Sequence, residues 1–193
     1  MELQNELLFT VYNIVPLSAA HAINVGGNTE PILQESPVFH LRCLDSWIGH
    51  EIAIRLAASI SYYFLNTGVP TRMICNGSDC ITDQVAVIPT GSGLRHVNAI
   101  AEVLARIDLT RTVVSCTDQL HELTNKMANS TSAPLYIMIS NSMSNSLQDA
   151  FEQLIKTGSS AMWIAPLYED MELRVRKIPN MDIIRWEVNK YEN

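Results

Sequence analysis

Residues 38–66 constrain the fold more than any other stretch, because their apolar pattern changes once, from a continuous run to a helical stripe. Val38-Phe-His-Leu-Arg-Cys-Leu44 is mostly apolar, β-branched or aromatic, the composition of a strand covered on both faces. Asp45 and Ser46 stand where such a strand ends. From Glu51 the period becomes helical. Ile52, Leu56, Ser59, Ile60 and Tyr63 form a stripe thickened by Ala53, Ala57 and Ala58, so a long helix is expected to Asn66. A strand feeding a helix through a short polar loop opens a βαβ unit, and ligands in such sheets bind at the carboxyl ends of the strands.

The rest of the chain repeats that alternation. Residues 7–15 read as a strand stopped by Pro16, and residues 17–37 as loop, so 1–37 form an N-terminal strand or arm. The domain proper is expected over 38–193. Gly68 closes the long helix. A strand follows at 69–75, and Asn76-Gly77 is its turn. The strand at 84–88 is expected antiparallel to it, since only a short turn intervenes. Pro89-Thr-Gly-Ser-Gly93 is loop, then a helix spans 94–107 with Val97, Ile100, Ala101, Leu104 and Ile107 on one face. A helix at 118–127 is capped by Ser115 or Thr117. The run at 133–140 is a second central strand. The helix from Ser144 to Lys156 turns Leu147, Phe151, Leu154 and Ile155 inward and stops at Gly158. Strands at 160–166 and 182–188 flank a charged segment, 168–177, expected as a short helix. The fold class is therefore α/β, a mostly parallel doubly wound sheet flanked by helices, Rossmann-like in layout.

At 193 residues the chain holds one ordinary domain. Its formal charge of −7, with 13 basic against 20 acidic residues, argues against nucleic acid or an anionic membrane as the main partner. An apolar fraction of 47% with only 17% charged residues leaves surface for a protein contact. Residues 1–20 lack a signal peptide pattern and no stretch has the length of a membrane span, so the chain is expected to be soluble. Cys43, Cys75, Cys80 and Cys116 are scattered, which favours reduced, structural thiols. A Cys75–Cys80 bridge closing a turn is the alternative.

Few residues are arranged for catalysis. Thr90-Gly91-Ser92-Gly93 opens a helix, but it lacks the Lys-Ser/Thr of a P-loop and carries His96 where a dinucleotide fingerprint has its third glycine. A tight strand-to-helix turn is the plainer reading. No Gly-x-Ser-x-Gly elbow exists. His21, His40, His50, His96 and His121 are not spaced as metal pairs. His40 reads as a core residue, and His50 and His96 as exposed helix starts. The remaining candidates are polar residues at strand ends: Asp45 and Ser46, then Thr90 or Ser92, then Ser140, Asn141 and Ser142. If their loops converge on one edge, hydroxyls and a carboxylate are oxygen ligands that Mg²⁺ accepts. One carboxylate alone makes such a site weak.

The strand, the Asp45 loop, Glu51-Ile-Ala-Ile-Arg-Leu-Ala-Ala-Ser-Ile60 and Gly68-Val-Pro-Thr-Arg-Met-Ile-Cys-Asn-Gly77 resemble the von Willebrand factor A-like half of the bacterial family called domain of unknown function 58. Pro89-Thr-Gly-Ser-Gly-Leu-Arg-His96, Ile100-Ala-Glu-Val-Leu-Ala-Arg-Ile107, the strand to Ile139-Ser-Asn141 and Gly158 continue the resemblance, over roughly residues 38–166. It implies a von Willebrand factor A-like fold and a metal-ion-dependent adhesion site built from Asp-x-Ser-x-Ser, a Thr and a second Asp. Asp45 matches the first Asp, whereas Trp47 and Gly49 replace the two serines. Asn141 replaces the second Asp, and Thr90 fits the Thr loosely. The site is thus degenerate: Asp45, Ser46, Thr90 and Asn141 as metal positions, Ser92 and Ser142 as further binding positions. Family members carry membrane helices and an arginine-rich stretch that this chain lacks, and often accompany AAA-type chaperone ATPases. The resemblance therefore implies a soluble part of a membrane-associated parent, or else a cytoplasmic protein.

Three readings follow. One is a non-enzymatic protein-interaction domain with no cofactor beyond weak Mg²⁺. Another is a divalent-metal-dependent binding or hydrolytic domain using Asp45 with Asp79, Asp83 or another carboxylate. A nucleotide-binding domain using residues 90–93 is a third.

Overall fold

The computed structural model describes residues 38–41, 47–112, 114–128 and 134–188. The expected arm at 1–37, Cys43, Asp45 and Ser46 lie outside the described residues. The elements are β1 (Val38–Leu41), α1 (Trp47–Asn66), β2 (Thr71–Asp79), β3 (Val85–Gly91), α2 (Leu94–Arg106), β4 (Ile107–Thr112), α3 (Cys116–Met127), β5 (Leu135–Ile139), α4 (Asn145–Ile155), β6 (Ser160–Tyr168) and β7 (Met181–Val188).

One sheet runs β3-β2-β1-β5-β6-β7, with β4 also paired to β2. Strands β2, β1, β5, β6 and β7 are parallel to one another. β3 and β4 are antiparallel to β2. The expected mostly parallel α/β sheet is what the structure contains, including the antiparallel placement of the strand after β2.

Alternate residues of the central strands feed two separate apolar clusters, which is why these strands read as unbroken apolar runs. Met73, Cys75, Ile137, Ile139, Met162 and Ile164 pack under α1 and α2. Ile74, Tyr136, Met138, Ala161 and Trp163 pack under α3 and α4. The sheet is therefore covered on both faces. α1 packs with three alanines at zero or 1% exposure, Ala53, Ala57 and Ala58, small residues that admit close packing. It ends where Gly68 takes φ +80°, a left-handed conformation that glycine adopts without a Cβ penalty. The Gly68 and Val69 amides then donate to the Leu65 and Phe64 carbonyls.

Several boundaries differ from expectation, each for a local reason. α1 begins at Trp47 rather than Glu51. Asn76-Gly77-Ser78-Asp79 is not a turn but the end of β2. Ser78 pairs with Val85 of β3 and with Asp108 of β4, so tertiary pairing overrides the Asn-Gly turn signal. The turn falls instead at residues 80–84. Pro89, Thr90 and Gly91 are strand, leaving only Ser92-Gly93 as the link into α2. α2 ends at Arg106, and β4 was not foreseen.

Residues 169–180 form no helix. Met171, Leu173 and Val175 alternate with Glu172, Arg174 and Arg176, a period of two, and the three apolar side chains pack against the second cluster. This extended strap, rather than a crossover helix, joins β6 to the parallel β7. The alternative Cys75–Cys80 bridge is not formed: Cys75, Cys80 and Cys116 are in no disulfide, with Cys75 and Cys116 buried and Cys80 exposed.

Candidate functional site

β1 and β5 end on the same edge of the sheet, where Leu41 stands level with both Cys75 and Ile139. Beyond Ile139 the chain turns through Ser140, Asn141 and Ser142 into α4. This turn is held from below. The Ser140 amide donates to the Ile164 carbonyl at 3.0 Å, and the Trp163 indole N–H donates to the Ser140 carbonyl at 3.0 Å. The Ser140 hydroxyl accepts from the Ser142 amide at 3.1 Å, a local serine turn. Ser140 is fully buried, and that bond turns its hydroxyl toward its own loop. Asn141 is half-buried, and its Oδ1 is enclosed with no hydrogen-bond partner among the described residues. A buried acceptor without a donor is costly, so among the described residues Asn141 is the expected site residue whose side-chain oxygen is left unsatisfied.

Thr90 and Ser92 do not join it. Gly91 pairs with Thr71, the first residue of β2, because β3 runs antiparallel. The level of Ile139 is that of Cys75, four residues further along β2, or about 13 Å at the rise of a strand. Three strand positions also separate β3 from β5. The expected convergence of all three loops is corrected on this point: Thr90 and Ser92 are exposed residues at the opposite edge. Ser92 precedes Gly93, whose φ of +78° makes the turn into α2. His96, expected to be exposed, is half-buried and its Nε2 lies 2.7 Å from the Thr71 carbonyl oxygen. Its ring sits over Gly91, where an added Cβ would run into Nδ1. Gly91→Ala is expected to displace that ring and lower stability by about 1–3 kcal/mol. Thermal melts with a His96→Ala control check this, since the two losses should not add.

Asp79, offered above as a second carboxylate, is occupied by its own turn. Its Oδ1 accepts from the Ile81 amide at 2.9 Å and the Thr82 amide at 3.3 Å, and Arg106 Nε is 3.0 Å from Oδ2. The Ile81 amide holds its carboxyl below the ordinary value of 3.8; burial opposes this, and Arg106 and the Thr82 amide reinforce it. A carboxyl whose pKa is lower folded than unfolded stabilises the fold fully above its unfolded value, and that stability is lost as pH falls through the folded value. Below about pH 4 the melting temperature is therefore expected to fall more steeply for the native chain than for Asp79→Asn. Parallel acid limbs in the two proteins would exclude this role.

Among other buried polar groups, Gln119 Nε2 donates to the Cys75 carbonyl at 3.4 Å, beside the candidate edge, and its Oε1 has no partner among the described residues. The Tyr136 hydroxyl is fully enclosed, its pKa pushed up to about 12 by burial and slightly opposed by the Arg72 charge. Among the described residues no group of three His, Cys, Asp or Glu is placed to hold a metal ion. Gln148 and Trp163, which shape the candidate edge, were not singled out in the sequence. An apolar helix stripe interrupted by one buried glutamine was the available signal for the first. No protein-family model matches the chain, and no curated protein matches it in sequence.

Proposed function

We propose that this chain is a non-enzymatic, von Willebrand factor A-like interaction domain whose adhesion site is degenerate, and that the edge formed by the ends of β1 and β5 is its contact face. The observation that carries the reading is Asn141. It stands two residues beyond Ile139, the last residue of a fully buried central strand and the one level with the end of β1, as a neutral amide where the resemblance places a carboxylate. Ser140 beside it spends its hydroxyl on the loop. A doubly covered, mostly parallel sheet with an antiparallel β3 is compatible with the implied fold. Among the described residues no helix is long and apolar enough to cross a membrane. The partner proposed is a protein, an AAA-type chaperone ATPase by the resemblance, with nucleic acid disfavoured by the net charge of −7. A membrane-associated parent belongs to the same proposal.

The second reading, a divalent-metal-dependent binding or hydrolytic domain centred on Asp45, is favoured by one observation: the unpartnered Asn141 Oδ1 is an oxygen acceptor facing no donor. A melt titration with Mg²⁺, Mn²⁺ and Ca²⁺ separates the two. The first reading expects no shift at millimolar metal. A shift that disappears in Asp45→Ala establishes the second. Co-purification with the AAA-type ATPase then tests the partner.

A further inference from the structure

The strap at 169–180 crosses α4 without belonging to a helix or a sheet, so its backbone groups need partners from side chains. Arg185 donates to the Met171 and Glu169 carbonyls at the strap's start, and Gln148 serves Arg174 and Arg176 further along. Gln148 is 1% exposed, in the first turns of α4, and both ends of its amide are used. Nε2 donates to the Met143 carbonyl at 2.7 Å and the Arg174 carbonyl at 3.3 Å. Oε1 accepts from the Arg176 amide at 2.7 Å and from Arg176 Nε at 3.4 Å. Reversing the amide would set its donors against the Arg176 N–H groups, so the orientation follows from the network. Met143 ends the loop that carries Asn141 and Ser142, whereas Arg174 and Arg176 belong to the strap. A further contact closes the triangle, as the Arg174 amide donates to Met143 Sδ at 2.9 Å. The Arg176–Asp149 ion pair at 2.5 Å is exposed on both sides and adds little.

We propose that Gln148 is a positioning residue that joins the 140–144 loop and the 169–180 strap into one unit, so that the contact face comprises both. A protein engaging the strap then alters the presentation of Asn141, and the reverse. The proposal rests on reading this edge as an interaction face, but the coupling exists whether or not any partner binds.

Hydrogen–deuterium exchange on the full chain tests it, with no partner and no metal. The Arg174 and Arg176 amides report the strap, and the Ser142 amide, bonded to the Ser140 hydroxyl, reports the loop without touching Gln148. Gln148→Met keeps the volume and removes both polar ends. All three amides are expected to exchange roughly tenfold faster, with the β5 amides unchanged. Gln148→Asn, which keeps the amide but withdraws it by one methylene, should produce the same joint acceleration. Asp149→Ala should leave Ser142 untouched. Faster exchange at Arg174 and Arg176 with Ser142 unchanged would overturn the coupling and leave Gln148 as an anchor of the strap alone. Loss of β5 protection in both Gln148 variants would also overturn it, making Gln148 a residue of general stability. Failure of the metal or partner assays alone would remove the functional reading and leave the exchange result standing.

Discussion

Trp163→Ala is expected to lower the unfolding free energy by about 3–5 kcal/mol, the range for deleting a large buried aromatic side chain. Trp163 has no exposed surface and sits in the middle of β6. Its ring meets Phe151 of α4 edge-on, with centroids 5.6 Å apart and planes at 82°, an arrangement that contributes beyond area burial. For a chain of this size each kcal/mol moves the melting temperature by about 2–4 °C, so a fall of roughly 10 °C is expected. Trp163→Phe separates packing from polarity. It keeps a ring against Phe151 but removes the N–H that satisfies the Ser140 carbonyl, a loss of about 1–3 kcal/mol for a buried acceptor left alone. Thermal and urea melts of both variants measure this. A Trp163→Ala protein melting within a degree or two of the native chain would mean that β6 and α4 are not packed as described.

That residue also shows what kind of information the sequence carried. The central strands β2, β5 and β6 and the helices α1, α2 and α4 were legible because burial on one or both faces leaves a period in the residues themselves. Met73/Cys75 against Ile74, or Leu147, Phe151 and Leu154 along α4, can be read without coordinates. The misreadings fell where a local signal was overruled by a distant strand. Asn76-Gly77 has turn chemistry, yet β3 and β4 arrive on either side and draw it into the sheet. Ile107-Asp-Leu-Thr-Arg-Thr112 alternates as a strand does, but it follows a helical stripe so closely that its first residue completes that stripe. The charge content of the strap points to a helix, although Met171, Leu173 and Val175 alternate with a period of two.

The candidate site was less legible than the fold, and for a geometric reason. Sequence order lists which loops leave strand ends, but only strand direction says which edge they leave from. Because β3 was expected to be antiparallel, its end belonged at the far edge from β5, and Thr90 and Ser92 could have been set aside on that ground alone. Trp163, Gln148 and Ser140 meet only through pairing across β5, β6 and α4. No spacing along the chain reveals that an indole 23 residues away holds the Ser140 carbonyl. Asn141 is legible only as a polar residue that follows a fully apolar strand, and its unpartnered Oδ1 comes from the fold.

Asn141→Asp tests that place most directly, because it returns the carboxylate the resemblance expects. Asn141 Oδ1 is enclosed and unpartnered, so a charged oxygen there without a counter-ion is costly. In metal-free buffer near pH 7 the variant is expected to melt below the native chain by an equivalent of about 1–3 kcal/mol. Lowering the pH should narrow that gap, since protonation removes the buried charge. Adding Mg²⁺ should narrow it as well. A cation that binds only the folded state at 100 times its dissociation constant contributes about 2.7 kcal/mol, enough to offset most of the penalty. Two carboxylates are needed for that recovery, so Asp45→Ala combined with Asn141→Asp should lose it while keeping the metal-free defect. If Asn141→Asp is destabilised yet indifferent to Mg²⁺, Mn²⁺ and Ca²⁺, then Asp45 does not share its edge in a ligating geometry. The description as a degenerate adhesion site then fails, and the 140–144 loop has to be understood as a protein-contact loop with no metal ancestry. If instead the native chain itself responds to metal, Asn141 is already a ligand through its Oδ1, and the site is a working one with a neutral amide in place of a carboxylate.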